Sequence, residues 1–175
     1  MAIFSIDLRR LALLMLPLAV VACTAAPPPP VAPPPPPPAP PVAPEHSSDW
    51  RDWPLTPGSW RYQPGTPVSA ARYGDDAVSQ FVVRCDAATR RVTLMRSGNT
   101  TELVITTSSR TARFPAGHID DRGTAMSGVI LNATDNFLDQ MIFSRGRIAV
   151  ASPGLPGLAL PTWAEPARAI EDCRK

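Results

Sequence analysis

The residues able to do chemistry in this 175-residue chain are few, and cysteine comes first, at Cys23, Cys85 and Cys173. A thiol can act as a nucleophile, ligate a metal, accept a lipid or close a disulfide. Histidine offers less. His46 lies in a proline-rich stretch where nothing can position it, and His118, in His118-Ile119-Asp120-Asp121, reads as a loop residue after Pro115 and Gly117. A metal site would need further ligands at fixed geometry, and a hydrolytic triad would want a serine on a strained strand-to-helix turn. The sequence carries no G-x-S-x-G and no glycine-rich phosphate loop. Asp135 and Asp139 stand one helical turn apart, but Asp135 suits a helix N-terminus and Asp139 a solvated face. Asp75-Asp76 after Gly74 is turn chemistry. No catalytic residue, metal ligand set or cofactor motif stands out, so a non-enzymatic role is expected.

Cys23 has the most telling neighbours. Met1–Arg10 ends in a basic pair, Leu11–Val21 is apolar apart from one proline, and Val20-Val21-Ala22-Cys23 closes the segment. An apolar run this short suits a signal-peptide core, since a retained helix needs about 20 residues to cross a bilayer. The last four residues resemble the lipobox of bacterial lipoproteins: an aliphatic at −3, a small residue at −1, then cysteine. The resemblance implies cleavage after residue 22, a diacylglyceryl thioether on Cys23 and stable anchoring through several acyl chains. Thr24 follows the cysteine where an aspartate would imply inner-membrane retention, so the outer membrane is the expected location. With Cys23 lipidated, Cys85 and Cys173 remain as one pair in an oxidising compartment.

Charge excludes one class of partner. Sixteen of the seventeen basic residues are arginine, they are scattered, and Arg90-Arg91 is the only adjacent arginine pair beyond residue 23. Nucleic-acid binding draws its affinity from a basic stripe, so it is not expected.

The elements that would position these residues fall into three segments: signal peptide 1–22, a lipid-anchored linker 23–48, and one globular domain 49–175. Thirteen of the 23 prolines lie between Pro27 and Pro44. Consecutive prolines fix φ and remove donors, so a disordered polyproline linker is expected, with PPII character and a reach of roughly 55 Å. A spacer role is favoured over a docking ligand for an aromatic groove.

Beyond Trp50 the pattern predicts an α+β domain, mainly β, with a sandwich-like antiparallel sheet and two short C-terminal helices. Strands are expected at Ser59–Gln63, Val78–Cys85, Arg91–Arg96, Glu102–Thr107, Ala125–Leu131, Arg147–Ala151 and Gly157–Leu160. Gly98-Asn99 reads as a two-residue hairpin turn. Thr134 would cap a helix burying Phe137, Leu138, Met141 and Ile142, with Gly146 just past its end. Thr162-Trp163-Ala164-Glu165 matches a capping box opening a last helix, with Trp163, Ala167, Ile170 and Cys173 on its inner face. Phe81, Val83 and Cys85 share a strand face, so both remaining cysteines point into the core. Trp50 and Trp53 are read as covers for the core edge.

Two further resemblances bear on function. From Asp135 to Cys173, the order of helix, Ser144-Arg145-Gly146-Arg147, strand, Pro/Gly turn, strand and cysteine-ended helix resembles the invasion-associated locus B group of small periplasmic proteins. Arg84-Cys85-Asp86 and Ser108-Ser109-Arg110-Thr111-Ala112-Arg113-Phe114 are similar to the early cysteine and a loop of membrane-bound inhibitors of c-type lysozyme. In that loop Thr111 replaces a glycine, and Lys175 is the only lysine of the chain, so the inhibitory lysine has no counterpart. The second resemblance implies a partner-binding loop at Ser109 and Arg110. The expected partners are therefore the membrane, through the acyl anchor, and an envelope protein, with lysozyme as the alternative. No nucleic acid and no small-molecule cofactor is expected.

Overall fold

From Ser59 onward the chain folds into ten strands, and a shift to helical spacing near the C-terminus yields two helices. A computed structural model describes residues 49–175, so the readings of residues 1–48, Cys23 included, lie outside the described residues. In chain order the elements are β1 (Ser59–Gln63), β2 (Val68–Gly74), β3 (Ser79–Asp86), β4 (Arg91–Ser97), β5 (Glu102–Thr106), β6 (Thr111–Pro115), β7 (Gly117–Asp121), β8 (Thr124–Asn132), α1 (Asn136–Ile142), β9 (Arg147–Ser152), β10 (Leu155–Pro161) and α2 (Ala164–Asp172). One sheet runs β1-β2-β3-β4-β8-β7 and the other β10-β9-β5-β6, with every pair antiparallel. The α+β, mainly β class read from the sequence is the one observed.

The main core lies between the two sheets and the helices. Phe81, Val83 and Leu94 come from the larger sheet, Leu103, Ile105, Val150 and Leu160 from the smaller, and Leu138 and Ile170 from the helices. Each large side chain buried here contributes about 1.5–3 kcal/mol relative to exposure. Trp60 anchors one end: its ring meets Tyr73 edge-on at 5.2 Å, and its indole N–H donates to the Pro161 carbonyl at 2.8 Å.

A second cluster occupies the opposite face of the larger sheet. Ala70, Val82, Met95 and Met126 are buried there, with Ile119 of β7 packed against them. The sheet curls so that its edge strand β7 reaches back toward β2, where Asp121 meets Arg72. Gly128 lies close against β4, where a Cβ would stand 2.5 Å from the Leu94 carbonyl oxygen.

Several local expectations are corrected. Gly98-Asn99 is no hairpin, because β4 and β5 belong to different sheets. The Ser127 hydroxyl directs the crossing instead, donating to the Gly98 carbonyl at 2.9 Å and accepting from the Thr100 amide at 3.0 Å. His118 lies on β7 with an exposed side chain, not in a loop. Asp135, not Thr134, caps α1 by accepting from the Phe137 amide at 2.8 Å. No capping box forms on α2, because the Thr162 hydroxyl donates to the Ser144 carbonyl at 2.8 Å. Trp163 is half exposed, and α2 turns Pro166, Ala169 and Ile170 inward. Asp139 is engaged by Arg174 at 2.7 Å and is not merely solvated. Trp53 lies over β10, its ring so close to Gly157 that a Cβ there would stand 2.5 Å from it.

Candidate functional site

The turn joining β5 to β6 is built around one buried hydroxyl. Thr107 Oγ1 accepts from the Arg110 amide at 2.9 Å and the Ser109 amide at 3.3 Å, while the Thr107 amide donates to the Arg110 carbonyl at 2.8 Å. Such side-chain-to-backbone bonds satisfy a tight turn from within. Ser108, Ser109 and Arg110 are left exposed at its tip.

A second segment braces this turn. The Ser108 amide donates to Ser144 Oγ at 2.8 Å, and the Arg145 amide donates to Ser108 Oγ at 3.0 Å. Ser144 Oγ in turn donates to the Arg147 carbonyl at 2.7 Å. The reciprocal serine bonds fix the C-terminal end of α1 against the turn. Phe143 sits at that junction, 77% exposed. Together Ser108, Ser109, Asp139, Gln140, Phe143 and Arg145 line an open cleft of about 480 Å³. Gln140 Oε1 is buried with no hydrogen-bond partner among the described residues. The cleft thus offers an apolar ring with an arginine beside it, on a hydrogen-bonded frame.

Sequence reasoning placed Ser109 and Arg110 in this region and missed Phe143. The signal was present: Phe137, Leu138, Met141 and Ile142 complete the apolar stripe of α1, so Phe143 falls off it. Cys85 and Cys173 are brought together, with S–S 2.12 Å and Cα–Cα 5.5 Å, linking β3 to the end of α2. Asp135 and Asp139 are not brought together for chemistry, since one caps α1 and the other pairs with Arg174. Among the described residues no group of three or more His, Cys, Asp or Glu could hold a metal ion. No helix among them is long and apolar enough to cross a membrane.

Electrostatics concentrate at a structural joint beside the disulfide. Asp172 accepts from Lys175 and Ser69, each at 2.8 Å, and from the Tyr62 hydroxyl. These donors, Lys175 foremost, then Tyr62, hold its carboxyl down at about 2. The same bond to Asp172 pushes the Tyr62 phenol above its ordinary value, and Arg168 stacks over the Tyr62 ring at 4.6 Å. The joint ties α2 to β1 and β2.

Compared with known proteins, the chain matches no family model, no curated sequence and no solved structure.

Proposed function

We propose that this chain is a lipid-anchored envelope protein whose domain is a non-catalytic binding module, using the cleft around Phe143 to hold an envelope protein partner. One observation carries the binding reading: a large aromatic side chain is 77% exposed yet stands on a frame fixed by reciprocal serine bonds. Phenylalanine and arginine are enriched at protein–protein interfaces relative to the rest of the surface. Rigid presentation lowers the ordering cost of association. Arg145, which lines the cleft with the ring, suits a partner surface that carries carboxylates around an apolar recess.

The anchor half of the reading rests on Val20-Val21-Ala22-Cys23 and the apolar run before it. Cys23 is the proposed lipid site, segment 23–48 the lipid-anchored linker, and the outer membrane the proposed location.

The test is differential capture from envelope extract by the chain from Cys23 onward. A protein retained by the native chain and lost with Phe143→Ser or Arg145→Ser supports the cleft. Equal retention by all three chains sinks it.

A second reading, inhibition of c-type lysozyme, is favoured by the exposed Ser109 and Arg110 at the tip of the internally bonded turn. Titratable inhibition in a lysozyme assay, weakened by Ser109→Ala or Arg110→Ala, would promote it. No inhibition at high molar excess would leave the binding module as the sole reading.

A further inference from the structure

Where β7 closes on β2, the larger sheet leaves a cleft of about 280 Å³, remote in sequence from the Phe143 face, lined in part by Gln63, Arg72, Arg84, Asp121 and Arg122. Three guanidinium groups face it against one carboxylate. That carboxylate is already committed, because Asp121 is only 3% exposed and both its oxygens are taken by Arg72. The Arg72 Nε–H donates to Gln63 Oε1 at 2.8 Å. Arg72 and Asp121 therefore neutralise one another and form the floor.

Arg84 and Arg122 are left over. Arg84 Nη1 stands 3.6 Å from Asp121 Oδ1, close enough for attraction and too far for a hydrogen bond. Its side chain is 29% exposed, and among the described residues it makes no hydrogen bond. Arg122 spends one donor on Gln63 Oε1 at 3.2 Å and keeps the rest. Its backbone is left-handed, φ 58°, at the first position of the Arg122-Gly123 turn between β7 and β8. Asparagine and glycine adopt that conformation most readily, so an arginine there is held at a conformational cost. The turn delivers its guanidinium to the cleft mouth.

The adjoining cleft supplies the contrast. On the other side of the same clasp Arg61, Arg72 and Arg122 meet Asp75, Asp76 and Asp121, and Arg61 pairs with Asp76 at 3.2 Å. Charges there are matched in number. Arg72, Arg122 and Asp121 line both clefts, so over the two together four guanidinium groups face three carboxylates, and the one added on the second side is Arg84.

We infer that the Arg84–Arg122 cleft binds a small oxyanion ligand through a carboxylate or phosphate group. Planar guanidinium forks match both groups with two parallel hydrogen bonds, and charge-assisted bonds of this kind are about twice as strong as neutral ones. The neutral Arg72–Asp121 floor fixes Gln63 and sets the depth at which the ligand stops. The inference stands apart from the anchor and from the Phe143 face.

The test titrates the full chain with inorganic phosphate and, separately, with citrate at constant chloride, following arginine side-chain NMR resonances. Saturable shifts confined to Arg84 and Arg122 are expected with at least one of the two anions, and the anion that saturates names the group recognised. Arg84→Gln and Arg122→Gln should each weaken binding about tenfold, as loss of one charge-assisted bond implies. Arg113→Gln, on the other sheet, should change nothing. Thermal unfolding of each variant shows whether it is folded, and the lysine substitution at the same position, Arg84→Lys or Arg122→Lys, replaces one that is not. Absence of saturable binding by both anions, or equal binding by the native chain and the Arg84→Gln/Arg122→Gln double variant, overturns the inference.

Discussion

Asp121 at the end of β7 accepts from both terminal amino groups of Arg72 on β2, although β3, β4 and β8 stand between those strands in the sheet. The contact requires the sheet to curl, and the curl encloses Val82, Met95 and Met126 on its otherwise outward face. Buried ion pairs gain little over apolar replacements, but losing one partner strands the other charge. Asp121→Ala should therefore cost about 3–5 kcal/mol in urea denaturation. Adding Arg72→Met to it should recover part of that loss. A single substitution costing under about 1 kcal/mol, the size of an exposed surface pair, would show that the clasp does not hold the curl.

The cysteine pair is the second prediction. Cys85 on β3 and Cys173 at the end of α2 are 88 positions apart, so a bond between them closes most of the domain. On a chain-entropy model that closure is worth about 4–5 kcal/mol. Non-reducing peptide maps of exported protein should contain the two peptides joined, and Cys85→Ala/Cys173→Ala should lower the unfolding midpoint. Free thiols at both positions would contradict the pairing.

Acid should loosen the joint between α2 and the sheet. The Asp172 carboxyl is held at about 2 in the folded chain, below its ordinary value of 3.8. A depressed carboxyl contributes stability that is present above the ordinary value and lost as pH falls through the folded one. Stability should thus decline from about pH 4 to about pH 2, and Asp172→Asn should flatten that decline. The flattening is partial, because backbone donors at Val78 and Ala77 also hold Asp75 below the ordinary range. At the alkaline end the sign reverses. The raised Tyr62 keeps its contribution below its ordinary value of 10.0 and loses it as pH rises beyond. Denaturation midpoints across pH for the native chain, Asp172→Asn and Tyr62→Phe check both limbs, and superimposable acid limbs would rule out the joint.

Legibility in the sequence followed apolar bulk. β3 and β4 are buried on both faces, Val82 and Met95 lying in the second cluster, yet their runs of large apolar side chains were readable. β2 was not, because its buried residues Ser69, Ala70, Ala71 and Arg72 are small or polar, with Tyr73 alone as a large ring. Such a strand carries no apolar period to read. The short strands β6 and β7 were hidden for a related reason, since an exposed His118 beside a buried Asp121 reads as turn chemistry until the clasp is known. Gly98-Asn99 carries a hairpin signal that the distant Ser127 hydroxyl overrides, an effect invisible to local propensity. At the candidate cleft, Ser109 and Arg110 were legible as a loop, while Phe143 depended on knowing where the apolar stripe of α1 ends. Arg84, Arg122 and Gln63 converge only through tertiary closure.

The proposed anchor at Cys23 decides whether a binding module in the cell envelope is the right frame, and processing of Cys23→Ser against the native chain tests it most directly. The native chain should incorporate labelled palmitate, fractionate with membranes, and accumulate as an uncleaved form under globomycin, which blocks the lipoprotein signal peptidase. Cys23→Ser should lose the label, remain uncleaved at residue 22 and be insensitive to globomycin. Unchanged processing and membrane fractionation of Cys23→Ser would contradict the account.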